Sequence, residues 1–259
     1  VIAPEEILKK YGADLLRIWV ASSNYAEDLR IDYSILDQHS ESYRKIRNTF
    51  RYLLGNLNDS YKDLNLEEIN LDELPELEQL MLHKIYCLNS SFNRYFGSYD
   101  FHNLYKELLN FCTVDLSAFY FDIRKDTLYC DPLSSQKRKS TLLVLNIILQ
   151  CLLKWFAPIL SFTTEEIYQL VSKKKNSIHL ENFLNVPKKF ENLKLNDFIA
   201  RKLLKENKIN KKINEYLFSK YTTEDILFSG NINANGTAYI DFFNSDQNLI
   251  ITTYDGIFA

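Results

Sequence analysis

Glycine and proline are scarce in this sequence, with six and five residues among 259. All-β chains need many tight turns and dinucleotide-binding folds need glycine loops, so the scarcity argues against both classes. Hydrophobic residues make up 46% of the chain, which is typical of a globular protein with a buried core. We therefore expect a mainly α-helical fold.

Cysteine pairs with metal-binding spacing are absent. The four cysteines never form a C-x-x-C pair, so the sequence predicts neither a metal site nor a disulfide framework; they are Cys87, Cys112, Cys130 and Cys151. Unpaired cysteines are typical of a reducing compartment, and we expect a cytoplasmic protein.

Long uninterrupted hydrophobic runs are absent as well. The most apolar stretch, residues 141–160, contains Asn146, Gln150 and Pro158, so it predicts a buried helix and no membrane span. We expect no secretory signal at Val1. Because the chain starts without Met and within a helical pattern, we expect it to be a piece of a longer protein.

No set of residues indicates catalysis. The sequence lacks a glycine-rich phosphate loop and an ordered Ser-His-Asp set, and its histidines are isolated. Glu165 and Glu166 fit a helix start better than an acid–base pair, because Thr163 and Glu166 have the spacing of a capping box. We predict no catalytic and no metal-binding residue.

Apolar residues recur at helical spacing through most of the chain. They predict helices over residues 4–21 with a break at Gly12, over 41–57, from Pro75 onward, over 101–119 and over 140–156. The last of these is apolar on nearly every side, so we expect it at the centre of a helix bundle. After Ser172, a basic helix over 198–218 and β-like runs at 226–228, 238–243 and 249–254 predict a small α+β appendage.

Charge is unevenly distributed. The net charge is -3, yet acidic residues concentrate in 59–78 and basic residues in 201–220. Within the predicted helix 41–57, Arg44, Arg47 and Arg51 are spaced three and four apart, so they share one face beside Asn48. Guanidinium groups match phosphate oxygens, and this face is consistent with nucleic-acid binding. A solvated face paired with the acidic segment explains the spacing equally well.

Several ordered blocks resemble class I aminoacyl-tRNA synthetases for branched aliphatic amino acids. Residues 1–19, VIAPEEILKKYGADLLRIW, resemble the segment that follows the KMSKS signature loop. Residues 43–49, YRKIRNT, resemble the start of the anticodon-binding bundle, and residues 157–167, APILSFTTEEI, resemble its closing element. Residues 99–101 and the block 111–129 are similar to the isoleucyl-tRNA synthetase family in particular.

The resemblance covers about residues 1–182 and implies the anticodon-binding helix bundle of class Ia synthetases. It divides the chain into a connector at 1–38, the bundle at 39–182 and a junction-like appendage at 183–259. The family adenylates isoleucine with ATP and Mg²⁺ and transfers it to its tRNA. The HIGH and KMSKS signatures, the editing insertion and a zinc module are not in these residues, so we expect the isolated chain to be inactive and to hold no cofactor.

The resemblance also implies partners and contact residues. The partners are tRNA(Ile) and the catalytic core of the same polypeptide, with no DNA, no membrane and a monomeric state. The expected tRNA contacts are Arg30 at the hinge between core and bundle, and Arg44, Lys45, Arg47, Asn48 and Arg51 on the bundle.

Three alternatives remain open. The chain could be the same module of a valyl- or leucyl-tRNA synthetase, a helical scaffold whose basic face binds an acidic protein, or an enzyme in its own right. The absence of a catalytic set argues most strongly against the third.

Overall fold

A computed structural model describes residues 3–25, 29–57, 61–62, 64–172 and 176–193, together with three strands near the end of the chain. The helices are α1 (Pro4–Tyr11), α2 (Ala13–Ser22), α3 (Tyr33–Leu57), α4 (Glu76–Gly97), α5 (Phe101–Asn110), α6 (Asp122–Cys130), α7 (Gln136–Phe156) and α8 (Ser161–Val171). Two compact units divide the chain: residues 1–116 with 123–192, and residues 117–122 with 193–259.

The predicted break at Gly12 is confirmed. Gly12 adopts a φ of 84° between α1 and α2, a conformation that residues with a Cβ rarely adopt. Ile7 of α1, Leu15 of α2 and Leu36 of α3 form a buried cluster that joins the connector helices to the bundle.

Helix α3 is longer than the periodicity predicted, since it begins at Tyr33 and not near Glu41. The Asp32 carboxylate accepts hydrogen bonds from the Ile35 N–H at 2.8 Å and from the Ser34 hydroxyl at 2.7 Å. A side-chain oxygen placed just before a helix satisfies donors that the first turn leaves open, so Asp32 fixes the helix start. Twenty-five residues give α3 a length of about 37 Å.

Helix α4 begins directly after Pro75, as predicted. The prediction of one helix over 101–119 is wrong at its end and in its form. Helix α5 ends at Asn110, a π-helical segment spans Phe111–Phe121, and α6 continues to Cys130. The segment FCTVDLSAFYF is apolar on nearly all sides, so its pattern carries no period that distinguishes π from α winding.

Helix α7 lies at the centre of the first unit, as predicted. Its Phe156 ring packs edge-on against Phe50 of α3 at 6.1 Å, and its Trp155 lies 6.1 Å from Phe92 of α4. Asn146 and Gln150 both donate to the Lys62 carbonyl, at 2.9 and 2.7 Å, so they tie a loop to the core. Among the described helices, α7 alone is long and apolar enough to cross a membrane, and 78% of its most apolar window is buried.

The capping box predicted at Thr163 is wrong. Helix α8 begins at Ser161 and its N-cap position is Leu160, which supplies no side-chain acceptor. Glu165 instead accepts hydrogen bonds from the Ser177 hydroxyl at 2.8 Å and the Ile178 N–H at 2.9 Å. The carboxylate therefore fastens the segment that follows α8 and does not cap α8 itself.

The second unit contains a three-stranded antiparallel sheet in the order β1 (Leu227–Ile232), β2 (Ala238–Phe243) and β3 (Leu249–Asp255). The register pairs Leu227 with Phe243 and Ala238 with Asp255. The predicted β-like runs at 238–243 and 249–254 are thus confirmed as strands, and the run at 226–228 is confirmed from Leu227 onward. The fold class is mainly α with a small β-containing appendage. The predicted basic helix at 198–218 lies outside the described residues.

All four cysteines are free thiols in the structure. Cys112 and Cys151 are buried, whereas Cys87 and Cys130 are exposed. Burial raises the pKa of the Cys112 and Cys151 thiols far above the ordinary value, so both stay protonated at neutral pH.

Candidate nucleic-acid interface

The polar face of α3 carries the predicted contact residues in one line. Arg44, Lys45, Arg47, Asn48 and Arg51 are all exposed, and the opposite side of α3 buries Ile46, Phe50 and Leu53 against the core. Helical geometry places positions three, four and seven residues apart on one side. The structure therefore brings Arg44, Arg47, Asn48 and Arg51 together as predicted, with Lys45 at the edge of the face.

Two of the arginines are preorganised by neighbours on their own helix. The Arg44 guanidinium donates to the Glu41 carboxylate at 2.7 and 3.2 Å, and both side chains are more than half exposed. Arg47 lies over the ring of Tyr43 at 5.7 Å. Exposed ion pairs contribute little free energy, so Arg44 can exchange Glu41 for a phosphate.

The pairing of this face with the acidic segment, which the sequence left open, is not found among the described residues. Arg44 pairs with Glu41, and the side chains of Lys45, Asn48 and Arg51 have no hydrogen-bond or ion-pair partner in the described part of the chain. These side chains are thus available for an external ligand.

The face ends in an open groove of about 370 Å³. Five residues of α3 and one of α6 line it: Asn48, Arg51, Tyr52, Gly55, Asn56 and Tyr129. A Cβ at Gly55 would meet no atom within 4 Å, so close packing does not require glycine at this position. The missing side chain leaves this side of the groove open. Tyr129 is 66% exposed and presents its ring to the solvent. The groove thus combines a cation, amides and aromatic rings.

Sequence reasoning missed Tyr52, Asn56 and Tyr129. Tyr52 and Asn56 follow Asn48 by four and eight residues, so helical spacing alone could have added them to the face. Tyr129 lies on a different helix, and no local spacing relates it to α3. Its only signal was its place at the end of the block 111–129.

Arg30 is exposed and lies apart from the α3 face. Its backbone carbonyl accepts a hydrogen bond from the Trp19 indole at 3.3 Å, which holds the hinge segment against α2. Along α3, Arg44 lies about 16 Å and Arg51 about 27 Å beyond the helix start at Tyr33, by the rise of an α-helix. The predicted contacts therefore form an extended track and not one cluster.

The described histidines do not form a catalytic set. His39 lies near the Ser22 hydroxyl, and His102 contacts the Ser22 carbonyl at 2.5 Å. Burial lowers the pKa of His39 below its ordinary value. No group of three His, Cys, Asp or Glu side chains in the described residues is placed to hold a metal ion.

Comparison with known families identifies the class of protein. Residues 78–222 match the family described as the anticodon-binding domain of tRNA ligase. The chain belongs to this family. Helix α3, with its basic face, precedes the matched residues.

Curated relatives that the chain matches include isoleucine–tRNA ligases. The protein from Pelagibacter ubique is 71% identical over 195 residues, which cover 75% of this chain and 22% of the relative. The Agrobacterium fabrum protein is 43% identical over 74% of this chain and 19% of its own length. The Bradyrhizobium diazoefficiens protein is 35% identical over 98% of this chain and 24% of its own length. The chain therefore spans about a fifth to a quarter of these relatives.

A solved structure supports the fold. The ternary complex of Agrobacterium radiobacter LeuRS with tRNA and LeuAMS matches with a TM-score of 0.55 and 16% identity, over 74% of this chain and 22% of that one. At this identity the likeness concerns the helical fold alone.

Proposed function

We propose that this chain holds tRNA(Ile) for an isoleucine–tRNA ligase, with the anticodon stem along α3 and anticodon bases in the groove beside Tyr129. The observation that carries the proposal is the line of exposed Arg44, Arg47 and Arg51 side chains that leads directly into that groove. Membership of an anticodon-binding family supports an RNA partner, and the 71% identical isoleucine–tRNA ligase supports the isoleucine tRNA.

The whole protein, in this proposal, activates isoleucine with ATP and Mg²⁺ in the cytoplasm, as a monomer. This chain contributes docking and no chemistry, because its described residues contain no catalytic set. Mixed with ATP, Mg²⁺ and isoleucine, the chain alone should show no isoleucine-dependent exchange of pyrophosphate into ATP. Exchange above background would contradict this part of the proposal.

Phosphate contacts supply the first step of docking. RNA carries a dense row of negative charges, and cations that neutralise phosphates release bound counterions, which makes binding salt-dependent. Arg44, Lys45, Arg47 and Arg51 repeat along about two turns of α3, so they follow a backbone strand as a track. The net charge of -3 does not oppose this, because the local field of the face determines the encounter.

Base contacts supply the second step. Unstacked bases of an RNA loop are bound by stacking on aromatic rings and by hydrogen bonds to their edges. Tyr129 offers an exposed ring, and Asn48 offers both a donor and an acceptor at the same groove. We propose that one anticodon base stacks on Tyr129 while Asn48 contacts its edge.

The decisive experiment measures fluorescence-anisotropy binding of the chain to isoleucine tRNA and to the same tRNA with a valine anticodon, at several salt concentrations. The triple variant Arg44→Ala, Arg47→Ala, Arg51→Ala should bind more weakly, and its salt slope should fall by about one for each phosphate that is no longer neutralised. A matched control, Lys9→Ala, Lys106→Ala, Lys188→Ala, removes the same charge from exposed positions on other elements. It should leave the slope unchanged.

The outcomes separate the alternatives. Preference for the isoleucine anticodon supports base reading by the groove, and equal binding to both anticodons leaves backbone docking alone. Equally weakened binding in the triple variant and its control would remove the α3 face from the proposal. Stronger binding to an acidic polypeptide than to tRNA would favour the helical scaffold.

A further inference from the structure

Asp14 of α2 is a buried acid whose hydrogen bonds all reach a distant helix. It is 6% exposed, and its carboxylate accepts from the Phe162 N–H at 3.2 Å, the Thr163 N–H at 2.8 Å and the Thr163 hydroxyl at 2.7 Å. Arg17 contributes a longer ion pair at 3.7 Å. The carboxylate thus caps α8 from another element.

Helix α8 depends on this external acceptor. The first turn of any helix leaves N–H groups without partners in the helix, and here the N-cap residue Leu160 has no side-chain oxygen. A negative charge at that end is also favourable for the helix dipole. Asp14 supplies both the acceptor and the charge.

The hydrogen-bonded chain continues from α8 to α3. Thr163 Oγ1 lies 2.6 Å from the Tyr43 hydroxyl. An ionised carboxylate only accepts, so Thr163 donates its one proton to Asp14 and Tyr43 must donate to Thr163. The ring of Tyr43 in turn supports the guanidinium of Arg47. A continuous path therefore connects the buried carboxylate of α2 with the exposed basic face.

We infer that Asp14 is a positioning residue for RNA: it fixes α2, and with it the hinge that carries Arg30, relative to the basic face of α3. The inference rests on the proposed function. An RNA that spans Arg30 and the α3 face binds both at once only if their separation is held, because a second contact gains from the first only when the geometry permits both.

Apolar packing alone does not fix this relation. Leu15 and Leu36 belong to one buried cluster, but hydrophobic contacts are non-directional. The direct polar contact from α2 to α3, between Ser22 and His39 at 3.4 Å, is made by the last residue of α2, whereas Asp14 lies in its first turn. The bonds of Asp14 require defined angles at two backbone N–H groups and one hydroxyl. Removal of the carboxylate should leave the helices packed and loosen their relative orientation.

The experiment compares two RNAs by fluorescence anisotropy. Under the inference, full isoleucine tRNA contacts both Arg30 and α3, whereas a hairpin of its anticodon stem and loop contacts α3 alone. The Asp14→Asn chain should bind the full tRNA about tenfold more weakly and the hairpin within about twofold of the unaltered chain. Thr163→Val should act in the same direction. Thr163→Ser keeps the hydroxyl and is the matched control.

The double variant Arg30→Ala, Asp14→Asn provides a measurement that a general loss of stability would not change. Arg30→Ala should weaken binding of full tRNA in the unaltered chain and have a smaller effect in the Asp14→Asn chain, because the contact is already decoupled. If Asp14→Asn does not fold, Tyr43→Phe is the substitute, because it removes only the hydrogen bond between Tyr43 and Thr163 and keeps the ring under Arg47. Like Asp14→Asn, it should weaken binding of the full tRNA more than binding of the hairpin.

Equal weakening of binding to both RNAs, or unchanged binding to both, would overturn the inference and leave Asp14 as a fold residue. If the unaltered chain binds neither RNA, the proposed function itself fails and the inference falls with it. If the unaltered chain binds both RNAs and the ratio is unchanged in Asp14→Asn, the inference alone fails.

Discussion

Tyr99 adopts a conformation that glycine normally supplies. It follows the end of α4 with a φ of 58°, and the Asp100 N–H reaches back to the Tyr95 carbonyl at 2.9 Å, as in a Schellman ending. The left-handed region costs a residue with a Cβ about 1 to 2 kcal/mol. The Tyr99 side chain is 70% exposed, so its packing offsets little of this backbone strain.

We predict that Tyr99→Gly raises the free energy of unfolding by about 1 kcal/mol, because it relieves the strain and gives up only the edge-on packing against Phe101. Urea denaturation followed by circular dichroism measures the change. The neighbouring Ser98 has an ordinary φ of −93°, so Ser98→Gly is the control and should not stabilise. A destabilised Tyr99→Gly chain would show that the turn is not strained.

His83 predicts a pH dependence of stability. Burial lowers its pKa below the ordinary value of about 6.5, and its Nδ1 accepts a hydrogen bond from the Asn192 N–H at 3.0 Å, which protonation would break. A histidine whose pKa is lowered in the folded state takes up protons first in the unfolded chain. Its contribution is therefore present above about pH 6.5, the ordinary value that applies to the unfolded chain, and is lost as the pH falls from there through the lowered pKa of the folded state.

The Tm should therefore fall between pH 7.5 and 5.5, and His83→Gln should reduce that fall. His179, which is exposed, provides the control variant His179→Gln. An identical pH profile in both variants and the unaltered chain would exclude His83 as the cause.

At the scale of elements, a buried ion pair joins three helices. Arg124 of α6 donates to both carboxylate oxygens of Glu78 of α4 at 2.6 Å, and the Thr141 hydroxyl of α7 donates to the same carboxylate at 3.0 Å. Glu78 is fully buried and Arg124 is 6% exposed. Each charge depends on the other, because neither reaches water.

Removal of one partner leaves an uncompensated buried charge, so Arg124→Met should destabilise the chain by about 3 to 5 kcal/mol. The double variant Glu78→Leu, Arg124→Met removes both charges and should recover much of that stability. Urea denaturation of both variants and of the single variant Glu78→Leu gives the free energies of unfolding for a double-mutant cycle. A double variant as unstable as the sum of the singles would show that the pair is not coupled.

The sequence predicted most elements and only part of the site, for physical reasons. The bundle and the arginine face follow from periodicity, which depends only on neighbours along one helix. The start of α3 at Tyr33, the capping of α8 by Asp14 and the place of Tyr129 depend on residues that the periodic pattern does not include. Such partners leave no periodic signal, and the apolar π-helical segment shows no period at all.

At the scale of the whole molecule, charge is partitioned between surfaces. The exposed acidic residues Glu67, Glu68, Asp72 and Glu73 lie in the segment before α4, whereas the exposed Arg44, Arg47 and Arg51 lie on α3. Phosphates are repelled by the first surface and attracted by the second. Bound RNA should therefore cover one part of the molecule only.

Footprinting measures this division. With isoleucine tRNA bound, hydroxyl-radical oxidation of Tyr129 should decrease, whereas that of the exposed Leu180 should not. Carbodiimide labelling of Glu67 and Glu73 should be unaffected by the RNA. Protection of the acidic segment with Tyr129 still reactive would place the RNA elsewhere.

The distribution of the four thiols has a practical consequence. Cys112 and Cys151 are sealed in the core as neutral thiols, burial raises the pKa of Cys87, and Cys130 is exposed next to Tyr129 of the groove. In a Cys87→Ser chain, a maleimide dye should therefore attach at Cys130 without further replacements. The native sequence thus already carries, one residue after a tyrosine that lines the groove, an attachment point for a fluorescent reporter of occupancy.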